Sequence, residues 1–246
     1  MPVQHDPDGR RRLVAGGTTI GRFDAGERDG VPMADLFDRA PGVSAHDAAR
    51  AVLAELPGWR IAADEELGFA LLAAGGTKKR HGHLYSYDLR GDRPSWVAPP
   101  GVRLTDIDRP AADLVDAYVA AYPPDHPDAA FVPDDHEAEL DALIAGGQYG
   151  PLLRGSGLAV ADDGRVVGAI ILGTVPGDPP RNGPWVIDVF RHPAYRGAGR
   201  ALVARALALA DVDTLGLIVT EGNDAARRLY ERLGFRLLSS AVVVQL

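Results

Sequence analysis

Residues 188–202 read Asp-Val-Phe-Arg-His-Pro-Ala-Tyr-Arg-Gly-Ala-Gly-Arg-Ala-Leu, an apolar run that enters a basic, glycine-rich turn. Gly197, Ala198, Gly199 and Ala201 let backbone N–H groups approach a ligand closely. A helix starting there adds unpaired N–H groups and the positive end of its dipole. Arg196 and Arg200 place positive charge beside that cradle. The chemistry this suits is the holding of a diphosphate. Asp188 is a charged residue within the apolar run, a costly placement unless its side chain faces a cleft or a partner.

The elements that position these residues follow from periodicity. Leu202, Val203, Ala206, Leu207 and Ala210 recur at helical spacing, so a helix leaves the turn with its buried face behind it and its N-terminus open. Residues 185–190 form the strand that delivers the turn, and residues 215–220 form another short apolar strand. Asn223 then caps a helix with Ala226, Leu229, Tyr230 and Leu233 on one stripe and Gly234 as its stop. Upstream, 158–160 and 166–172 flank Asp163-Gly164, a hairpin signal. Residues 102–104 make a first strand, and 111–121 a helix with Leu114, Val115 and Tyr118 on one face.

This succession resembles the GNAT superfamily of acyl-CoA-dependent N-acyltransferases, whose pyrophosphate loop has the form Gln/Arg-x-x-Gly-x-Gly/Ala. Arg196, Gly199 and Ala201 fill that pattern. The second family signature is matched by Asn223, Ala226, Leu229-Tyr230 and Gly234-Phe235. The resemblance implies an α/β GNAT fold, a mixed, mostly antiparallel sheet with helices on both faces. It implies acetyl-CoA as co-substrate, with no metal, and transfer of the acetyl group to a primary amine by direct attack in a ternary complex. The backbone of Val189, Phe190 and Arg191 is expected to bond the pantetheine arm as an added strand would. The cradle at Arg196, Gly197, Ala198, Gly199, Arg200 and Ala201 takes the diphosphate, and Asn223 caps its helix, contacts the cofactor arm, or does both. Tyr230 occupies the position that commonly protonates the leaving thiolate; its other reading is a core aromatic.

An attacking amine must be neutral, which asks for a general base. Asp188 is the candidate, acting directly or through water; a hydrogen-bonded structural carboxylate is the other reading. Glu221 is the substitute base, while His192, in a His-Pro step, shapes the turn. The competing class is a non-catalytic acyl-CoA-binding regulatory module. A dinucleotide-binding fold fits less well, because Leu202 stands where its third glycine would be. No Gly-Lys-Ser/Thr follows a glycine-rich turn, which excludes a Walker loop.

The formal charge of −8 over 246 residues argues against nucleic-acid binding. With no cysteine there is no disulfide framework and no thiol nucleophile. The N-terminus has no apolar signal core and no run is long enough for a membrane span, so the expected location is the cytoplasm. Arg10-Arg11-Arg12, in a Pro/Asp/Gly-rich leader, reads as a solvated tail. The proline-rich acidic segment 123–137 lies where the family places its acceptor loop. Its carboxylates suit a cationic amine or simply a solvated connection.

The break at 91–101 divides the chain into an N-terminal α/β domain, 1–95, and a GNAT domain, 96–246. Within the first, Asp64 through Leu71 to Gly75 aligns with Asn223 through Tyr230 to Gly234, as a degenerate GNAT half would; any amphipathic helix ending in glycine would align similarly. Ser44 caps a helix over 45–56, and 59–62 form a strand. The first half has no pyrophosphate loop. Residues 236–246 have room for one strand, which leaves a substrate wall to the N-terminal half or to a second subunit of a homodimer.

Overall fold

The computed structural model describes residues 2–28, 30–147, 149–177 and 181–246. It consists of two compact units, one of residues 1–83 with 239–246 and the other of residues 84–238. The division falls ahead of the 91–101 break, inside a strand.

The first unit begins with β1 (Val3–His5), β2 (Arg11–Ala15), β3 (Thr18–Arg28) and β4 (Val31–Arg39), an antiparallel series. Helix α1 (Ala45–Glu55) leads to β5 (Arg60–Asp64), which runs parallel to β4, then to α2 (Glu65–Ala73) and the strand β6 (Thr77–Asp88), whose first part belongs here. Residues Ala241–Gln245 of the late strand β12 pair antiparallel with β5. The core gathers Leu13, Phe23, Phe37, Val52, Ile61, Leu67 and Leu71 with Val242 and Val244.

Arg10, Arg11 and Arg12 are therefore no solvated tail. Arg10 bonds Asp38 at 2.9 Å and Asp24 at 3.2 Å, Arg12 pairs with Asp6 at 3.3 Å, and Leu13 is fully buried beside them. Polar residues fill the outward positions of strands whose inward positions carry the core, so a pattern of period two lies beneath the charge run.

The second unit contains residues Leu84–Asp88 of β6, then β7 (Val102–Thr105), a 3₁₀ turn (Ala111–Leu114) continuing into α3 (Val115–Ala121), and α4 (His136–Ile144). The antiparallel strands β8 (Gly157–Ala161), β9 (Val166–Val175) and β10 (Gly183–Arg191) come next. After them run α5 (Ala198–Leu209), β11 (Thr214–Thr220) parallel to β10, α6 (Asp224–Leu233), and the start of β12 (Arg236–Gln245). Strand order in this unit is β6-β11-β10-β9-β8-β7. One core packs α5 and α6 against the sheet through Tyr85, Leu202, Leu207, Leu217, Tyr230 and Phe235, and another packs α3 and α4 through Leu114, Tyr118, Leu140 and Phe190.

Both units share one succession: three antiparallel strands, a helix, a strand parallel to the third, a helix and a further strand. The aligned helices also start alike, with Asp64 Oδ1 accepting from Leu67 N at 2.8 Å and Asn223 Oδ1 from Ala226 N at 3.2 Å.

Candidate active site

Strand β10 carries the site, and two irregularities shape it. Its register against β9 shifts between Val186 and Asp188, so Ile187 is an extra residue that re-aims the side chains after it. Against β11 it pairs only at Trp185 and Gly216. A side chain at position 216 would have its Cβ 2.8 Å from Trp185 Nε1, so a glycine is what permits that pairing. Beyond it the backbone of Asp188, Val189, Phe190 and Arg191 bonds β9 on one side and has no β11 partner on the other, among the described residues. Such an edge can take an extended ligand arm by main-chain hydrogen bonds. Val189 packs on one core, and the Phe190 side chain is buried against Tyr118 with ring centroids 5.0 Å apart, so these residues offer backbone to the edge.

The chain then turns sharply. His192 N donates to Val167 O at 2.8 Å and His192 Nδ1 accepts from Ala194 N at 3.2 Å, so the imidazole shapes the turn. Arg191 braces it from beneath, donating to the carbonyls of His192 and Pro193 at 3.2 and 2.9 Å. Gly197, at φ +90°, is the N-cap of α5, a conformation that favours glycine, and it has no side chain to occupy the N–H groups that follow. A Cβ at Gly199 would come no nearer than 3.6 Å to the Arg191 side chain, so the space above the first turn is open. Ala198 and Ala201 are buried and anchor the turn, while Arg196 and Arg200 are exposed beside it. The cradle fits a diphosphate: leading N–H groups, no capping side chain, and two flanking guanidinium groups.

Asp188 is partly buried, and its Oδ1 accepts a hydrogen bond from Tyr122 Oη at 2.6 Å. Burial pushes the carboxyl up to about 6; the Tyr122 hydroxyl and the Val189 N–H pull it back, while Asp128 and Glu139 push it further up. Tyr230, 6% exposed on α6, has its hydroxyl pKa raised by burial and then by the charges of Asp188 and Asp128, so it holds its proton. Its ring stands edge-on to Phe235 at 5.6 Å. Glu221, the substitute base, lies past the end of β11, about half exposed and 3.2 Å from Arg227.

Several residues beyond the sequence-based set converge here. Tyr122, at the C-cap of α3, packs edge-on to Tyr118 and His126 with centroids 5.2 and 5.0 Å away. Asp128 bonds Thr220, and His126 Nε2 lies 3.5 Å from Asn223 Nδ2. Within the 123–137 segment, His126 and Asp128 thus fold against the end of β11 and the start of α6, while residues 123–125 and 133–135 are exposed, and its last residues enter α4. The available signal was helical spacing, since Tyr122 follows Tyr118 by four residues.

The Acetyltransferase (GNAT) family model matches residues 112–235. No curated protein matches the chain with significance. A GCN5-related N-acetyltransferase from Sphaerobacter thermophilus is 17% identical over 96% of this chain and 80% of its own, with a TM-score of 0.56. A tandem GNAT protein from the clavulanic acid biosynthesis pathway is 18% identical over 96% and 82%, at 0.53. A GCN5-related N-acetyltransferase from Kribbella flavida is 21% identical over 96% and 89%, at 0.51. At these identities the likeness is one of fold. The family match itself covers half of the 246 residues, from α3 through the bulged strand, the cradle and the Tyr230 helix, and the chain belongs to the GNAT acetyltransferase family.

Proposed function

We propose that the second unit is an acetyl-CoA-dependent N-acetyltransferase acting on a cationic primary amine. The observation that carries this reading is the bulged, splayed β10, which ends in an uncapped helix start and presents a carboxylate of raised pKa whose charge is felt by a protonated tyrosine, Tyr230.

The edge of Val189, Phe190 and Arg191 would hold the pantetheine arm, and the backbone from Gly197 to Ala201, with Arg196 and Arg200, the diphosphate. Asn223, with its carbonyl oxygen committed to the helix cap, would turn its amide toward the arm. Acetyl-CoA supplies the activated acyl group. Asp188 accepts a proton from the acceptor ammonium, directly or through water, and the freed nitrogen attacks the thioester carbon. As the new C–N bond forms and the C–S bond breaks, the nitrogen sheds its second proton to solvent, Tyr230 gives its proton to the leaving sulfur and regains one from solvent, and Asp188 releases the proton it took. Asp188, Asp128 and Glu139 form a negative setting that favours a cationic acceptor.

Coenzyme A thiol release across a panel of primary amines tests the activity. Tyr230→Phe should keep acetyl-CoA affinity yet lower kcat by about 10²–10⁴-fold, the usual span of general acid catalysis. Wild-type turnover at saturating substrates would reduce Tyr230 to packing.

A further inference from the structure

The first unit carries a cluster that acyl transfer does not use. His81 and His83 stand two residues apart on β6, so their side chains share one face of the strand, with ring centroids 4.8 Å apart. Glu65 opens α2, and its Oε1 lies 2.7 Å from His81 Nε2. One ligand-capable atom from each of the three residues lies within 4.8 Å of the others. All three belong to the first unit, as does Ser240 of β12, whose Oγ lies 2.8 Å from His83 Nδ1.

We infer that Glu65, His81 and His83 form a three-ligand site for zinc(II). Two imidazoles and one carboxylate are a borderline N/O set suited to zinc, and three protein ligands leave a fourth position for water or another donor. Ligands at about 2.0–2.1 Å in a tetrahedron stand roughly 3.3 Å from one another, so the present spacing has to contract on one side and open slightly between Glu65 and His81. Glu65 can make that adjustment, because its side chain is half exposed on the first turn of a helix, while His83 is 5% exposed and held. The Ser240 hydroxyl at His83 Nδ1 fixes the orientation of that ring. Phe69, edge-on to His81 at 5.7 Å, gives the site an apolar flank. An ion there would tie the start of α2 to β6 within one unit, a cross-link in a chain that has no cysteine.

The test uses the full chain, stripped with a chelator and titrated with zinc against a chromogenic zinc indicator. Cobalt(II) serves as a spectroscopic stand-in. One zinc per chain is expected, with visible cobalt absorption of tetrahedral intensity and a zinc-dependent rise in Tm. His81→Ala and Glu65→Gln alter partly exposed side chains and should fold; each should weaken zinc more than the roughly 10–100-fold that loss of a hydrogen-bond partner behind a ligand costs, and Ser240→Ala should fall within that range. Binding no tighter than the indicator, or zinc affinity unchanged in both ligand variants, would leave the trio a hydrogen-bonded ion pair and overturn the site. Acetyl-CoA binding should be the same with and without zinc, which separates this test from that of the transferase.

Discussion

The Asp188 carboxylate feels burial on one side and the Tyr122 hydroxyl on the other, and the balance sets where it titrates. If the ionised form accepts the amine's proton, kcat/KM should rise with pH through a limb near 6. Tyr122→Phe removes a donor that stabilises the ionised form, so that limb should move to higher pH. Asp188→Asn should abolish the limb and cut the rate most at low pH, where little amine is already neutral; a loss uniform across pH would make Asp188 a structural carboxylate. The same shift has a stability signature. Because the folded pKa is raised from 3.8 to about 6, wild-type stability should fall as pH rises across that window and stay level above it. The total is about 3 kcal/mol at roughly 1.4 kcal/mol per unit. Asp188→Asn should lack this slope in denaturant titrations between those pH values.

At the scale of elements, the proposed cradle at the α5 start should govern cofactor affinity. Gly199→Asp should fold, since its Cβ meets nothing closer than 3.6 Å, yet lose coenzyme A binding because a carboxylate would face the diphosphate. Calorimetry on the folded variant measures this, and unchanged affinity would refute the cradle. Arg196→Ala should weaken binding less, its charge being exposed and screened. The chain from Val102 onward was largely legible in advance, including the hairpin at Asp163-Gly164, the strand into the cradle, and the helices begun by Gly197 and Asn223. There the apolar period and the turn residues agree. The strands of 3–39 were not legible, since polar outward positions and repeated glycines mask their alternation. The Ile187 bulge and the Tyr122–Asp188 bond were equally hidden, because register and contact across 66 residues depend on partners that local pattern does not contain. The His81 and His83 cluster is hidden for the same reason, as Glu65 reaches His81 only once α2 packs beside β6.

At the scale of the molecule, a helix start without a capping side chain, that of α5, lies in the second unit among the described residues. In the first, Ser44 caps α1 and Asp47 stands in its first turn with its own N–H bonded to Ser44 Oγ at 3.1 Å, while Arg39 is engaged by Asp64 and Glu66. One coenzyme A per chain is therefore expected by calorimetry, and two would overturn this division. A fragment starting near Trp96 should fail to fold, because the second unit would lose Leu84–Asp88 and with it the fully buried Tyr85, which bonds Glu231 at 2.8 Å. A soluble fragment 96–246 that binds coenzyme A would refute that dependence. The pairing of β12 with β5 also sets an order in time. Arg60 and Gln245 meet across 185 residues, and Val242 and Val244 are fully buried in the first unit. On the ribosome, residues 1–83 emerge with their core still open and their sheet unfinished, and must wait for the whole acyltransferase unit to be made. Until β12 is made, the nascent first unit presents an unpaired β5 edge, the kind of exposed edge that invites aggregation.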